Sequence, residues 1–238
     1  FIESLDTGTF LKDADKEDVR SFLRRVKYLH IDVGDAKHEE LRESIDRIEE
    51  KHGCSKNKVF YLAVPPSLFD PIARLVEPLK HEEGWQRVVF EKPFGHDASS
   101  AERLNACVTK VFDEQDVFRI DHYLGKALVQ NILTFRFSNH LFDNSWNKDD
   151  IDHVEIVASE VLGVEARAGY YDKTGALIDM VQNHLLQVLS LVAMDAPASM
   201  DDDAVRDETV RVMRSLRLGS WTRGQYVGGA GMRAYREE

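Results

Sequence analysis

Residues 121–126 place a carboxylate, an imidazole, a phenol and an ammonium side by side: Asp121, His122, Tyr123, Leu124, Gly125 and Lys126. Donors of these types, converging where a strand gives way to a helix N-terminus, suit a phosphate, with backbone N–H groups and the lysine charge acting together. An amphipathic helix start with Asp121 as N-cap accounts for Asp121 but leaves His122, Tyr123 and Lys126 to chance. A second concentration lies in residues 176–194, where Leu177, Ile178, Met180, Val181, Leu185 and Leu186 surround Asp179, Gln182, Asn183, His184 and Gln187. Burying such a group unpaired costs about 1–3 kcal/mol, so each needs a partner. A buried histidine held by a carboxylate is a ready general base, although a structural histidine fits the same pattern and the helix alone does not identify the partner of His184. The third candidate is Lys92-Pro93. An X-Pro bond can be cis, and a fixed kink there would aim the Lys92 ammonium into a crevice; the competing reading is a proline and Gly95 that only end a strand.

Other clusters carry less. Asp201-Asp202-Asp203 suits the N-terminus of a helix and lacks the glycine and spaced acids of a calcium loop. His81-Glu82-Glu83 lacks the second histidine of a zinc helix, and no G-x-S-x-G or Cys–His nucleophile arrangement occurs. Metal dependence is therefore not expected. Cys54 and Cys107 are the only cysteines and have no zinc spacing, which fits a reducing compartment.

The elements that must position these groups follow from periodicity. Residues 17–26 have helical spacing, 28–33 a short strand pattern, and 37–52 a charged helix with Leu41, Ile45 and Ile48 on one face. The apolar run 59–64, closed by Pro65-Pro66, reads as a strand covered on both faces. Helix 67–80, strand 87–90, helix 99–112 and strand 117–120 follow, with Asp97 at a helix start. Such alternation indicates an α/β fold, a Rossmann-like doubly wound parallel sheet of which this is the C-terminal part. Ligands of such sheets bind beyond the carboxyl ends of the strands, which is where Pro65, Lys92 and Asp121 fall. Beyond residue 121 the rhythm changes: helix 123–137, a long strand 153–161, helix 176–194 and charged helix 201–216 read as the start of an α+β domain. The expected division is 1–121 and 122–238.

No G-x-G-x-x-G joins a first strand to its helix, and Gly228-Gly229-Ala230-Gly231 lacks the flanking elements. The chain opens at Phe1 and is expected to be the middle of a longer protein. Its apolar content of 43% over 238 residues suffices for a sizeable core. The apolar runs look too short to cross a bilayer. A formal charge of −11 argues against general nucleic-acid binding and against a basic membrane-surface protein.

Residues 61–66 (YLAVPP), 91–95 (EKPFG), 119–126 (RIDHYLGK) and 179–187 (DMVQNHLLQ) together resemble the glucose-6-phosphate dehydrogenase family. Gly169-Tyr170-Tyr171-Asp172 and Gly224-Gln225-Tyr226-Val227-Gly228 match in order, and the likeness runs over residues 61–228. It implies an enzyme that oxidises C1 of glucose 6-phosphate with hydride transfer to NADP+, in the cytoplasm and as a homo-oligomer, dimer or tetramer, with neither nucleic acid nor membrane as partner. By that resemblance His184 is the general base and Asp121 the carboxylate that orients it. His122, Tyr123 and Lys126 match phosphate-binding positions, Glu160 and Asp179 match sugar-hydroxyl ligands, and Lys92 matches a lysine touching both substrate and cofactor. Pro65 and Phe69 match cofactor-side positions, Phe69 replacing a tyrosine found in many members. The family's G-x-x-G-x-x-x-[KR] cofactor loop is expected before Phe1 and further substrate residues after Glu238, so the 238 residues alone are expected to be inactive. The alternatives are a sugar oxidoreductase of the glucose-fructose oxidoreductase type, which would not need the phosphate cluster, and a non-catalytic sugar-phosphate-binding relative.

Overall fold

A computed structural model describes residues 16–32, 38–81, 83–95, 97–142, 144–164, 167–229, 231 and 233–237. Val33, Lys37, Glu82 and Ala230, which belong to segments considered above, lie outside them. Two compact units are present, one formed by Phe1–Lys58 with Leu68–Gln86, the other by Val59–Ser67 with Arg87–Glu238.

In the first unit, α1 spans Lys16–Leu23, α2 His38–His52 and α3 Phe69–Val76. Phe69, Ala73 and Val76 recur at helical spacing and are all buried, which fixes the inner face of α3. Glu49 on α2 is buried and pairs with the partly buried Lys56 and Lys58, each 2.7 Å away. Burial would raise its pKa, but the hydrogen bonds from those two lysines outweigh it and hold the carboxyl below its ordinary value.

The second unit carries a three-stranded sheet of β1 (Lys58–Leu62), β2 (Gln86–Phe90) and β3 (Val117–Arg119), in that order; Lys58 and Gln86, which open β1 and β2, count with the first unit. Strands β2 and β3 run parallel, with Val88 opposite Val117 and Phe90 opposite Arg119. Helix α4 (Ala98–Val108) starts at Asp97, whose carboxylate accepts the Ser100 N–H at 2.7 Å in a capping box, as the sequence leads one to expect. Val88, Phe90, Val108 and Phe112 form the buried floor of this layer.

Three further helices position the site: α5 (Ala127–Phe137), α7 (Leu186–Ala193) and α8 (Asp202–Ser215), with α6 (Ala168–Ala176) and a π-helix (Leu177–Leu185) leading into α7. Val129, Leu191, Met194 and Val212 form the core between α5, α7 and α8. Arg136 on α5 is buried there and donates to the carbonyls of Leu191 and Met194 at 2.7 and 2.8 Å, closing the C-terminal end of α7. Asp201 caps α8 by accepting the Ala204 N–H at 2.9 Å.

Five expectations need correction. Residues 28–32 and 153–161 are not strands: among the described residues neither has a neighbouring strand to take its backbone donors and acceptors, and Val154, Val157 and Val161 are exposed. Strand β1 is covered on one face only, since Val59 and Tyr61 alternate outward while Leu62 is buried. The helix expected over 123–137 begins only at Ala127, with Lys126 in the cap position, so the competing reading of Asp121 as an N-cap falls away. Finally, Ala168–Ala193 is long and apolar enough to meet the length and composition of a bilayer span. It is broken at Gly175, where φ is 62° and ψ 177°, and Asp179 and His184 within it are buried and paired to other elements. A stretch broken at Gly175 and tied through buried Asp179 and His184 to other elements is held in place by polar pairings within this fold.

Candidate active site

Asp121 follows the carboxyl end of β3 and Lys92 follows that of the adjacent parallel strand β2, so both side chains leave the same edge of the sheet. The Lys92-Pro93 bond is cis. Gly95 just beyond has φ 93°, and a Cβ there would lie 2.7 Å from the Ala101 nitrogen, so only glycine fits this turn. His184 reaches the same place from the π-helix. The wide turn leaves the Leu186 N–H bonded to the Val181 carbonyl, five residues back, and Asn183 donates its amide to the Ile178 carbonyl at 2.8 Å.

His184 has no accessible surface and both ring nitrogens are engaged. Its Nδ1 lies 2.5 Å from Asp121 Oδ1 and its Nε2 lies 2.7 Å from Lys92 Nζ. An ammonium has only donors, so Nε2 is the acceptor and the Nδ1 proton points at Asp121. This is the tautomer a general base needs. Asp121 is held in turn by the Tyr123 backbone N–H, 2.9 Å from the same Oδ1. The Tyr123 ring stacks on His184 at 4.2 Å with the planes 17° apart, and His122 meets the imidazole edge-on at 4.4 Å.

Lys92 also donates to Asp179 Oδ1 at 3.1 Å, and Asp179 is buried. Lys126 lies with Nζ 3.6 Å from the Tyr123 ring centre, placing its charge beside His122. Partial burial and then the charge of Glu160 raise the pKa of Tyr123, so its hydroxyl stays protonated; Tyr123 Oη lies 3.5 Å from Glu160 Oε1.

The structure thus brings together Asp121, His122, Tyr123, Lys126, Lys92, Asp179 and His184, with Glu160 at Tyr123. Phe69 is different. It has no accessible surface, so it supports a core and offers no face to a cofactor; Pro65 is exposed. Of the polar residues among the apolar ones in 176–194, Asp179 and His184 are buried, while Gln182 is exposed. Arg167 and Tyr170, which the sequence did not single out as site residues, join Asp179. Tyr170 stood within a matched motif, whereas nothing marked Arg167.

Asp121, His122 and His184 place ligand-type atoms within 4.8 Å of one another, a set that metals use. His184 spends Nδ1 on Asp121 and Nε2 on Lys92, and a cation would have to displace the Lys92 ammonium, so the geometry favours proton transfer over metal binding.

Burial, then the charges of His184 and Lys92, push the pKa of His122 below its ordinary 6.5. Folded His122 therefore binds fewer protons than unfolded His122, and stability is lost as pH falls through about 6.5. Thermal unfolding followed between about pH 7 and pH 5 is expected to show a falling midpoint, with a smaller fall in His122→Asn. Equal slopes in the two proteins would refute this.

A parallel-sheet α/β scaffold with a buried histidine–carboxylate couple at the strand ends, beside a lysine and a cluster of phosphate-type donors, is a Rossmann-like arrangement chemically able to take up a proton next to an anion. Comparison with known proteins makes this specific. The family profile "Glucose-6-phosphate dehydrogenase, NAD binding domain" matches residues 2–131, and "Glucose-6-phosphate dehydrogenase, C-terminal domain" matches residues 133–238. The chain belongs to the glucose-6-phosphate dehydrogenase family. A glucose-6-phosphate 1-dehydrogenase of Rhizobium meliloti (strain 1021) is 44% identical, covering 99% of this chain and 49% of the relative. Glucose-6-phosphate 1-dehydrogenase 6, cytoplasmic, of Arabidopsis thaliana is 42% identical over 86% of this chain and 42% of its own length. A solved structure of glucose-6-phosphate dehydrogenase in complex with its substrate glucose-6-phosphate superposes with a TM-score of 0.83 at 38% identity, covering 94% of this chain and 48% of that one. The chain spans about half the length of the curated relatives it matches. These matches favour this family over the glucose-fructose oxidoreductase alternative.

Proposed function

We propose that the chain carries the proton-transfer and phosphate-binding part of an enzyme that oxidises glucose 6-phosphate at C1 to the 6-phosphogluconolactone, with NADP+ as cofactor. The observation that carries this reading is the Asp121–His184 couple, buried and in the base-competent tautomer, beside His122 and Lys126.

His184 Nε2 accepts the proton of the C1 hydroxyl as the C1–O bond gains carbonyl character, and Asp121 stabilises the imidazolium that results. Lys92 holds Nε2 at 2.7 Å, so the sugar hydroxyl takes that position as the ammonium swings aside while keeping Asp179 as counter-ion. Asp179 and Glu160 accept from sugar hydroxyls. The 6-phosphate rests on His122, Tyr123 and Lys126, where a neutral imidazole, a protonated phenol and an ammonium all donate.

A cationic lysine and an exposed proline at the strand ends fit the nicotinamide end of a dinucleotide; Lys92 and Pro65 would hold it, and Phe69 is not among the residues that would. When bound, NADP+ supplies the acceptor for the hydride of C1. The relative named as cytoplasmic in Arabidopsis supports a cytoplasmic setting for the present chain.

In the full-length enzyme, Lys126→Gln is expected to raise KM for glucose 6-phosphate about 10- to 100-fold, the worth of one charge-assisted hydrogen bond to a phosphate enclosed by its site, with little effect on turnover of unphosphorylated glucose. Steady-state rates with both sugars provide the check. Equal losses with glucose and glucose 6-phosphate would remove Lys126 from the phosphate site.

A further inference from the structure

Three side chains converge on the buried carboxylate of Asp179. Lys92 donates to Oδ1 at 3.1 Å and to the Asp179 carbonyl at 3.3 Å. The Tyr170 hydroxyl donates to the same Oδ1 at 3.2 Å. The Arg167 guanidinium donates to Oδ2 at 3.3 Å and lies 5.5 Å from the centre of the Tyr170 ring. Arg167 precedes α6 and Tyr170 is on it, while Asp179 is on the π-helix beyond the break at Gly175. Burial, followed by the charge of Asp179, raises the pKa of Tyr170 and keeps its hydroxyl a donor.

We infer that Tyr170 and Arg167 are positioning residues of the sugar site, fixing the plane of the Asp179 carboxylate and, through it, the place of the Lys92 ammonium. The role rests on the reading above, in which Asp179 and Lys92 meet the sugar phosphate. Donors on both oxygens leave the carboxylate one orientation. Without Tyr170, Oδ1 is held by Lys92 alone, the very group that must move when the sugar enters; without Arg167, Oδ2 loses its cation. Asp179 then turns between orientations, and those that miss the sugar hydroxyl weaken ground state and transition state alike. That predicts an effect on KM more than on kcat.

The test uses the full-length enzyme and its variants Tyr170→Phe, Arg167→Met and Arg167→Lys, with glucose 6-phosphate and NADP+ as substrates and thermal unfolding measured in parallel. Tyr170→Phe and Arg167→Met are each expected to raise KM for glucose 6-phosphate about fivefold or more, with kcat within about threefold and the unfolding midpoint unchanged. Arg167→Lys should restore KM to within about twofold of wild type, because a single nitrogen makes the contact. Unchanged KM in both Tyr170→Phe and Arg167→Met, a KM rise only where the midpoint falls, or an Arg167→Lys enzyme as impaired as Arg167→Met would overturn the positioning role. A wild-type enzyme that does not oxidise glucose 6-phosphate would instead overturn the functional reading beneath it.

Discussion

Replacing His184 by Asn in the full-length enzyme is expected to lower kcat for glucose 6-phosphate oxidation by about 10³-fold while moving KM by less than about threefold. The asparagine amide can still donate to Asp121, so the buried carboxylate keeps its partner and the fold is preserved. What disappears is the lone pair on Nε2, the one atom placed to take the hydroxyl proton. An interaction that matters only while the proton is in flight costs turnover and not affinity. Weak binding with normal turnover would instead make His184 a binding residue.

The second large effect is expected from Asp121→Asn, with a loss of about 10²-fold or more in kcat. The substitution is nearly isosteric, and the amide can turn its nitrogen toward His184 Nδ1. Nδ1 then becomes an acceptor and the proton moves to Nε2, which is the wrong tautomer for a base. The charge that stabilises the imidazolium also vanishes. The Tyr123 N–H at 2.9 Å favours keeping the Asn oxygen in place of Oδ1, so both orientations are poor: one lacks a charge, the other a free lone pair. Steady-state kinetics with glucose 6-phosphate decide the matter; turnover within about threefold of wild type would mean that Asp121 neither orients nor stabilises the imidazole.

Particular residues show how far the chain could be read before its structure. The apolar surroundings of His184 pointed to burial for several of the polar residues in that stretch and to a partner for each one buried, and for His184 the fold provides burial with two partners. Its partner could not be found from the helix, because Asp121 is 63 positions away and joins it only when β3 and the π-helix meet; resemblance supplied that pairing. The capped starts at Asp97 and Asp201 were legible because the capping residue and its partner are three positions apart.

Features that depend on distant chain were not legible. The patterns at 28–33 and 153–161 are those of strands, yet a strand needs a neighbour, which a local pattern cannot supply. The π-turn has no composition signal, since one extra residue in a helical turn leaves the apolar spacing nearly intact. Phe69 lay at a position that resemblance put beside a cofactor, and its full burial decides otherwise. Arg167 carried no mark because its role exists only through Asp179, across a backbone break at Gly175.

The most direct measurement is a crystal structure of the full-length enzyme with glucose 6-phosphate bound. The account predicts the C1 hydroxyl oxygen about 2.6–3.2 Å from His184 Nε2, with Lys92 Nζ moved off that nitrogen and the phosphate held by His122 and Lys126. A sugar bound with its C1 hydroxyl turned away from His184, or with its phosphate on other groups while His184 still carries Lys92, would contradict it.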